Sequence, residues 1–159
     1  MKLSSQEEYG LRCLLQVARQ GEGRSLTLSD LARLEGISPA NAAKFMRVLR
    51  RAGFLKSTRG QAGGYALARP AAQIVVADVL AALGGRMFDS TFCGRHAGAS
   101  SLCAHLGDCS IRPVLVQLQV AIDLVLAKLT IGQLLCNERE MQSRTPRSMS
   151  LPIVEVRTA

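Results

Sequence analysis

The sequence lacks the features of a secreted or membrane protein. The N-terminal stretch MKLSSQEEYG has no apolar segment after its first charge, so we predict no signal peptide and expect a cytoplasmic protein. The apolar segment PVLVQLQVAI and its continuation are interrupted by Asp123 and Lys128, well short of the ~20 apolar residues that cross a bilayer. We therefore expect no membrane partner, and we find no internal repeat.

Cysteine is scarce and unevenly placed. The chain of 159 residues has five cysteines, an odd number, and three of them fall within residues 92–110. In a reducing compartment such a set argues against a disulfide framework and leaves metal binding, redox sensing or simple burial. Cys13 and Cys136 fall on apolar helical stretches, where we interpret them as buried small hydrophobic residues.

Acidic residues are few in the N-terminal half. Residues 1–70 contain 12 basic and 5 acidic side chains, whereas residues 71–159 contain 8 and 7. The positive charge therefore belongs to the N-terminal half and indicates a polyanionic partner there. The chain length suits one well-cored domain, or a small domain with an appended oligomerisation element.

A first helix is predicted near the N-terminus. Ser5 with Glu8 has the spacing of a capping box, and apolar residues then recur at helical intervals until the stretch QGEGR. The helix should run from about Gln6 to Arg19.

Two further helices form a helix-turn-helix pattern. Thr27 with Asp30 begins the second helix, and the stretch EGIS supplies a short turn. Ser38 caps the third helix, with Pro39 at its first position and Gly53 at its end. In this motif the second helix of the pair lies in the major groove of DNA.

The predicted reading helix has a basic face. From Lys44 to Arg59 there are six basic residues and no acidic one, and Lys44, Arg47 and Arg51 recur at helical spacing. The residues that can face the core are Phe45, Leu49 and Ala52. The alternative is a solvated basic face on an ordinary helix, but the turn and the wing that follows favour DNA binding.

The wing is the stretch FLKSTRGQAGGYAL. Phe54–Ser57 and Tyr65–Leu67 have strand composition, and glycines between them permit a tight connection with Arg59 at its tip. An arginine there suits a narrow minor groove, although a phosphate contact or plain solvation is the alternative. The candidate DNA-binding residues are Ser38, Asn41, Lys44, Arg47, Arg51 and Arg59.

The fold predicted from these patterns is mainly α with a small β-wing. Residues 1–70 form a winged helix-turn-helix domain, and residues 71–136 form a linker helix, a cysteine loop (92–110) and a long helix from about Ser110 to Leu135. The long helix is apolar around much of its circumference, which predicts a C2 homodimer that reads a palindromic operator. Residues 137–159 are predicted to be a largely disordered tail.

The cysteine loop offers soft metal ligands. Thiolates suit iron–sulfur clusters, zinc or copper(I), and the loop lacks a short C-x-x-C hook, so on the residues alone zinc and iron–sulfur are equally favoured. An enzyme with a catalytic cysteine is not expected, because no Cys–His pairing is accompanied by an orienting acid or an oxyanion motif.

Several blocks of the sequence resemble one family. They are MKLSSQEEYGLRCLLQVA, LSDLARLEGIS, LRRAGFLKSTRGQAGGYALARP and ADVLAAL. They are similar to the winged-helix iron–sulfur transcription regulators that include IscR and NsrR, over approximately residues 1–135. The segment that often reads Tyr-Leu-Glu-Gln in that family is Asn41-Ala42-Ala43-Lys44 here, so base preference does not transfer. The first cysteine gap also looks longer than usual, with nine residues between Cys93 and Cys103 and five between Cys103 and Cys109.

The resemblance implies an iron–sulfur cluster, [2Fe-2S] or [4Fe-4S], held by Cys93, Cys103 and Cys109. In one branch of the family a carboxylate near the N-terminus of the partner subunit completes the site, and Glu8 matches it. His96 and His105 are the other candidates for the fourth ligand, and Glu8 has a competing interpretation as the cap of the first helix. We therefore predict a dimeric, cytoplasmic DNA-binding repressor that senses iron, redox state or nitric oxide. A cluster-free thiol or zinc regulator is the alternative.

Overall fold

The protein is a mainly helical chain with a small antiparallel sheet, seen here in a computed structural model that describes residues 3–58, 63–95 and 102–144. In chain order the elements are α1 (Ser5–Arg19), α2 (Leu28–Glu35), α3 (Pro39–Arg51), β1 (Leu55–Thr58), β2 (Gly64–Leu67), a 3₁₀ turn (Ala71–Gln73), α4 (Val76–Gly84), α5 (Phe92–Arg95), α6 (Ile111–Leu126) and α7 (Glu138–Arg144). The predicted fold class is confirmed.

Helix α1 is capped one residue earlier than predicted. The Ser4 hydroxyl accepts from the Glu7 amide, and the Glu7 carboxylate accepts from the Ser4 amide at 2.8 Å, so Ser4 and Glu7 form the capping box. The prediction that Ser5 and Glu8 form it is wrong. Both pairs have the same spacing, and the first turn docks on the end of α4, where the Gln6 side-chain amide donates to the Leu83 carbonyl.

The helix-turn-helix has the predicted caps. The Thr27 hydroxyl accepts from the Asp30 amide and the Ser38 hydroxyl from the Asn41 amide, with Pro39 at the start of α3. Gly36 ends α2 at φ +64°, a left-handed conformation that glycine adopts without steric cost.

One hydrophobic core joins α1 to the wing and to α3, the helix predicted to read DNA. Fully buried side chains come from all three of the first helices and from α4; they include Leu14, Leu31, Met46, Leu49 and Val79. Helix α1 packs on α2, α3 and α4, so it lies at the centre of the fold.

The wing strands pair antiparallel, with Leu55 opposite Leu67 and Thr58 opposite Gly64. Tyr65 also exchanges both backbone hydrogen bonds with Leu26, at 2.8 and 3.0 Å, which ties the wing to the segment before α2. The predicted strand positions agree to within one residue. Arg59 falls between the strands and lies outside the described residues.

The long C-terminal helix ends earlier than predicted. Helix α6 stops at Leu126, and the chain then turns so that the Ile131 amide donates to the Ile74 carbonyl at 2.8 Å. Ile131 is fully buried there, and continuing the helix to Leu135 would lift it out of the core. Part of the segment predicted as a disordered tail forms α7, and residues 145–159 lie outside the described residues.

A Gly64→Ala substitution should loosen the wing. A Cβ at this position would lie 2.3 Å from the Leu26 carbonyl oxygen, a backbone atom that cannot move aside alone. We expect a loss of about 1–3 kcal/mol in the free energy of unfolding, measured by denaturant titration. Ser57→Ala, at an exposed position of the neighbouring strand, is the matched control and should be close to neutral. Equal stability of the two variants would contradict the close packing of β2 on Leu26.

Candidate DNA-reading surface and cysteine loop

The basic residues predicted to read DNA are on the exposed side of α3. Lys44, Arg47 and Arg51 are exposed, as are Ser38 and Asn41 at the start of the helix. The opposite side is buried and consists of Ala42, Phe45, Met46 and Leu49. Ala52, predicted to face the core, is exposed because the helix has ended there. The spacing of three and four residues therefore places three cations on one helix face.

Other cations extend this surface. Arg50 and Lys56 belong to the same basic stretch and are exposed. Arg69 lies over the ring of Phe54, with its guanidinium carbon 5.1 Å from the ring centroid. Sequence reasoning missed this stacked arginine, since Arg69 and Phe54 meet only when the wing folds back.

A buried carboxylate fixes α1 to the helix-turn-helix. Glu35, at the end of α2, has a side chain only 4% exposed. It accepts hydrogen bonds from Arg12 Nε and Gln16 Nε2 of α1, each at 2.6 Å. The hydrogen bond to Glu35 and its charge raise the pKa of Arg12. The sequence shows no sign of this pair, because Arg12 and Glu35 are separated by a whole helix and a loop.

An aromatic contact continues from α1 to the reading helix. The rings of Tyr9 and Phe45 are parallel within 2°, with centroids 6.5 Å apart, and the Arg12 guanidinium lies 5.0 Å from the Tyr9 centroid. Arg12 also contacts Glu8 one turn earlier, at 3.4 Å. The chain of contacts therefore runs from Glu8 through Arg12 and Tyr9 to α3.

Glu8 is available to a ligand. Its side chain is 53% exposed, and its partner within the described residues is Arg12 on the same helix. The capping role that competed with a ligand role belongs to Glu7 instead. The Glu8 carboxylate therefore does not cap the helix.

The three loop cysteines are half-buried free thiols. Cys93 is on α5, and Cys103 and Cys109 lie before α6. Among residues 3–58, 63–95 and 102–144, no three His, Cys, Asp or Glu side chains are close enough together to hold a metal ion. His105 is exposed, and His96 lies outside the described residues. The thiols are thus in one region but are not gathered around a single point.

The remaining two cysteines differ from each other. Cys13 is fully buried as predicted, and burial, together with the charge of Glu35, raises the pKa of its thiol to about 11. It stays protonated and unreactive at neutral pH. Cys136 is only half-buried and lies in a turn, where its thiol donates to the Gln133 carbonyl at 3.2 Å. The prediction of a buried helical Cys136 is wrong, because α6 ends before it.

Comparison with known proteins identifies the family. Residues 3–137 match the profile of Rrf2, described as an iron-dependent transcriptional regulator. The chain belongs to the Rrf2 family. The family is described as one of transcriptional regulators and not of enzymes, which agrees with the prediction. Among the described helices, none is long and apolar enough to cross a membrane.

Individual Rrf2 relatives match different parts of the chain. Over 83 residues it is 45% identical to Protein rrf2 of Nitratidesulfovibrio vulgaris, covering 52% of this chain and 55% of that protein. Over 135 residues it is 30% identical to an HTH-type transcriptional regulator of Neisseria meningitidis serogroup A, covering 85% and 88%. The chain thus spans about half the length of the first curated relatives that it matches, 55% and 53%.

Solved structures share the fold. IscR of T. potens aligns with a TM-score of 0.68 and 25% identity, covering 93% of this chain and 94% of that chain. CymR, the global cysteine regulator of B. subtilis, aligns with a TM-score of 0.67 and 23% identity, covering 85% and 96%. The predicted membership of the winged-helix family that includes IscR is confirmed.

Replacing Lys44 with Ala should weaken DNA binding without changing the fold, because Lys44 is exposed on α3. In titrations of a native promoter fragment we expect lower affinity and a slope of log affinity against log salt that falls by about 1. Lys128→Ala removes one exposed lysine from the C-terminal half and is the charge-matched control. If both variants bind as the wild type does, α3 is not the DNA-reading helix.

Proposed function

We propose that this Rrf2 regulator is a homodimeric repressor whose affinity for a palindromic operator is controlled by an iron–sulfur cluster in the cysteine loop. It acts on DNA in the cytoplasm and senses iron, redox state or nitric oxide. The observation that carries the proposal is the set of half-buried, unpaired thiols of Cys93, Cys103 and Cys109 in one loop. Such soft donors are the usual ligands of cluster iron.

Glu8 of the partner subunit is proposed as the fourth ligand. Three thiolates leave one position open, and among the described residues of one chain no three candidate ligands stand together. Glu8 is exposed and has no capping role, so a second copy can present it. A carboxylate is a harder and weaker partner for cluster iron than a thiolate, which makes this the labile position. His105 is the alternative ligand.

The contacts of α1 can carry a change at Glu8 to the reading helix. A new partner for Glu8 competes with its 3.4 Å contact to Arg12. Arg12 also holds the buried Glu35 and lies over Tyr9, which stacks on Phe45 of α3. A bound cluster would supply a redox-sensitive and ligand-sensitive iron site. Glu8, Arg12 and Tyr9 would convert its occupancy into the orientation of α3, which is allostery if the two states differ in DNA affinity.

Dimerisation is supported by the exposed apolar surface of α6. Ile111, Val114 and Leu118 are 65%, 54% and 49% exposed, which is unusual for large apolar side chains on one helix. Beside them, α4 and α6 form a groove of about 870 Å³, lined by Leu80 and Val125 among others. We propose that the second copy covers this surface, as a C2 dimer requires.

Replacing Leu118 with Asp should dissociate the dimer, because it would place an unpaired charge in the apolar groove. Sedimentation should show a dimer for the wild type and a monomer or aggregate for the variant. Gln117→Asp, at an exposed polar position on the same helix that does not line the groove, should remain dimeric. A wild type that sediments as a stable monomer would refute the proposed dimer.

Anaerobic purification followed by an absorption spectrum and analysis of iron, sulfide and zinc tests the cluster. The wild type should contain iron and sulfide, and Cys109→Ala should lose the visible absorption and change operator affinity. Cys136→Ala removes a half-buried thiol outside the loop and should keep the full iron content. Glu8→Ala should keep a cluster with an altered spectrum and a blunted response to oxidant.

Two outcomes would redirect the proposal. A wild type that binds zinc, or no metal, would leave a cluster-free regulator that works through its thiols or zinc. If Glu8→Ala has the spectrum and the response of the wild type, Glu8 is not a ligand, and His105 and His96 are the side chains to substitute next.

A further inference from the structure

Helix α6 carries a polar stripe on an otherwise apolar surface. Arg112, Gln119 and Asp123 are spaced by seven and four residues, so they lie on one face of the helix. The neighbouring positions are mostly valine, leucine and isoleucine. A polar stripe that interrupts such a surface is costly unless each of its groups has a partner.

The oxygen and the nitrogen of the Gln119 side-chain amide are both hydrogen-bonded. It is 6% exposed, and with Glu35 it makes up the buried polar side chains of the described residues. Its Oε1 accepts from the Phe88 amide at 3.0 Å, and its Nε2 donates to Asp123 Oδ1 at 2.9 Å. Asp123 also pairs with Arg86. The stripe therefore binds the segment from Arg86 to Phe88 to the middle of α6.

That segment leads directly to the first loop cysteine. The rings of Phe88 and Phe92 lie 5.1 Å apart. Between them, the Asp89 carboxylate accepts from the Thr91 amide at 2.8 Å and from Arg95 at 3.1 Å. These contacts lower the pKa of Asp89, chiefly through the hydrogen bond from the Thr91 side chain. Cys93 thus follows a hydrogen-bonded turn, and that turn is attached to α6 through the Phe88–Gln119 hydrogen bond.

The other end of the stripe holds the second part of the loop. Arg112 Nη2 donates to the Leu106 carbonyl at 2.9 Å and approaches the His105 carbonyl at 3.4 Å. Both carbonyls lie between Cys103 and Cys109. The Arg112 amide also donates to the Cys109 carbonyl at 3.3 Å. One helix face therefore binds the chain before Cys93 and the chain between the other two cysteines.

We propose that Arg112, Gln119 and Asp123 are positioning residues that mount the cysteine loop on α6. Without them the two described flanks of the loop would move independently, and bringing their thiols together on one ligand would cost more conformational entropy. The inference rests on the proposed cluster for its purpose, but the mounting itself is a property of the apoprotein. Residues that orient metal ligands typically contribute 10- to 100-fold to metal affinity.

The first test is Gln119→Leu, which keeps the apolar bulk and removes both hydrogen bonds. In the apoprotein we expect faster hydrogen exchange of the Phe88 amide and faster alkylation of Cys93. In the reconstituted protein we expect cluster loss to a chelator to be about 10- to 100-fold faster. Gln117→Leu, two residues away at an exposed position, is the matched control and should change none of the three rates.

The second test restores the hydrogen bond between positions 119 and 123 with donor and acceptor exchanged. In the double variant Gln119→Glu with Asp123→Asn, Glu accepts from the Phe88 amide, Asn donates to Glu, and the Asn oxygen remains available to Arg86. The charge of the stripe is unchanged. We expect the double variant to recover the slow exchange and slow alkylation of the wild type, whereas Gln119→Glu alone, which places two carboxylates against each other, should not. A residue that acted only by filling space would show no such rescue.

The outcomes separate the two proposals. If the wild type binds no cluster, the proposed function fails, and the exchange and alkylation rates of the apoprotein still decide the mounting. If the wild type binds a cluster and Gln119→Leu matches it in all three rates, the mounting is refuted. Should Gln119→Leu fail to fold, Arg112→Ala at a half-exposed site replaces it, with faster alkylation of Cys103 and Cys109 expected and unchanged rates refuting the proposal.

Discussion

The carboxylate of Glu35 is buried at the end of α2, and Arg12 and Gln16 of α1 both donate to it. A buried charge without such partners would be strongly unfavourable, so this requirement sets the position of α1 across the helix-turn-helix. The stack of Tyr9 on Phe45 extends the same constraint to the reading helix. The orientation of the candidate DNA-reading surface therefore depends on α1, whose first turn carries the exposed Glu8.

Helix α6 has apolar faces and a polar stripe, and the two make different contacts. Its apolar faces are exposed in the single chain and need a cover, whereas its polar stripe is already satisfied by Arg86, Phe88 and Leu106. Because the stripe binds both flanks of the cysteine loop, a rotation of α6 in a dimer would move the loop with it. The described flanks of the loop and the proposed interface thus share one helix, so a change at either can reach the other through α6.

Local sequence patterns predicted the helix-turn-helix well. Thr27, Ser38 and Pro39 act within one helical turn of their own positions, so the caps that they form depend little on the rest of the fold. The alternation of basic and apolar residues on α3 likewise follows from helical geometry. The capping box of α1 was assigned one residue too late because Ser4–Glu7 and Ser5–Glu8 have equal spacing. The docking of Gln6 on Leu83 distinguishes them, and that contact spans most of the domain.

Local spacing and composition were enough to predict the family, the helix-turn-helix and the wing strands. They also place the positive charge in the N-terminal half. Three features depend on packing between distant segments: the pairing of Arg12 with Glu35, the end of α6 at Leu126 and the attachment of Phe88 to Gln119. Each of these joins residues far apart in the chain. A buried polar group selects its partner by position in the packed core, and a helix ends where burial of a later residue such as Ile131 outweighs another helical turn.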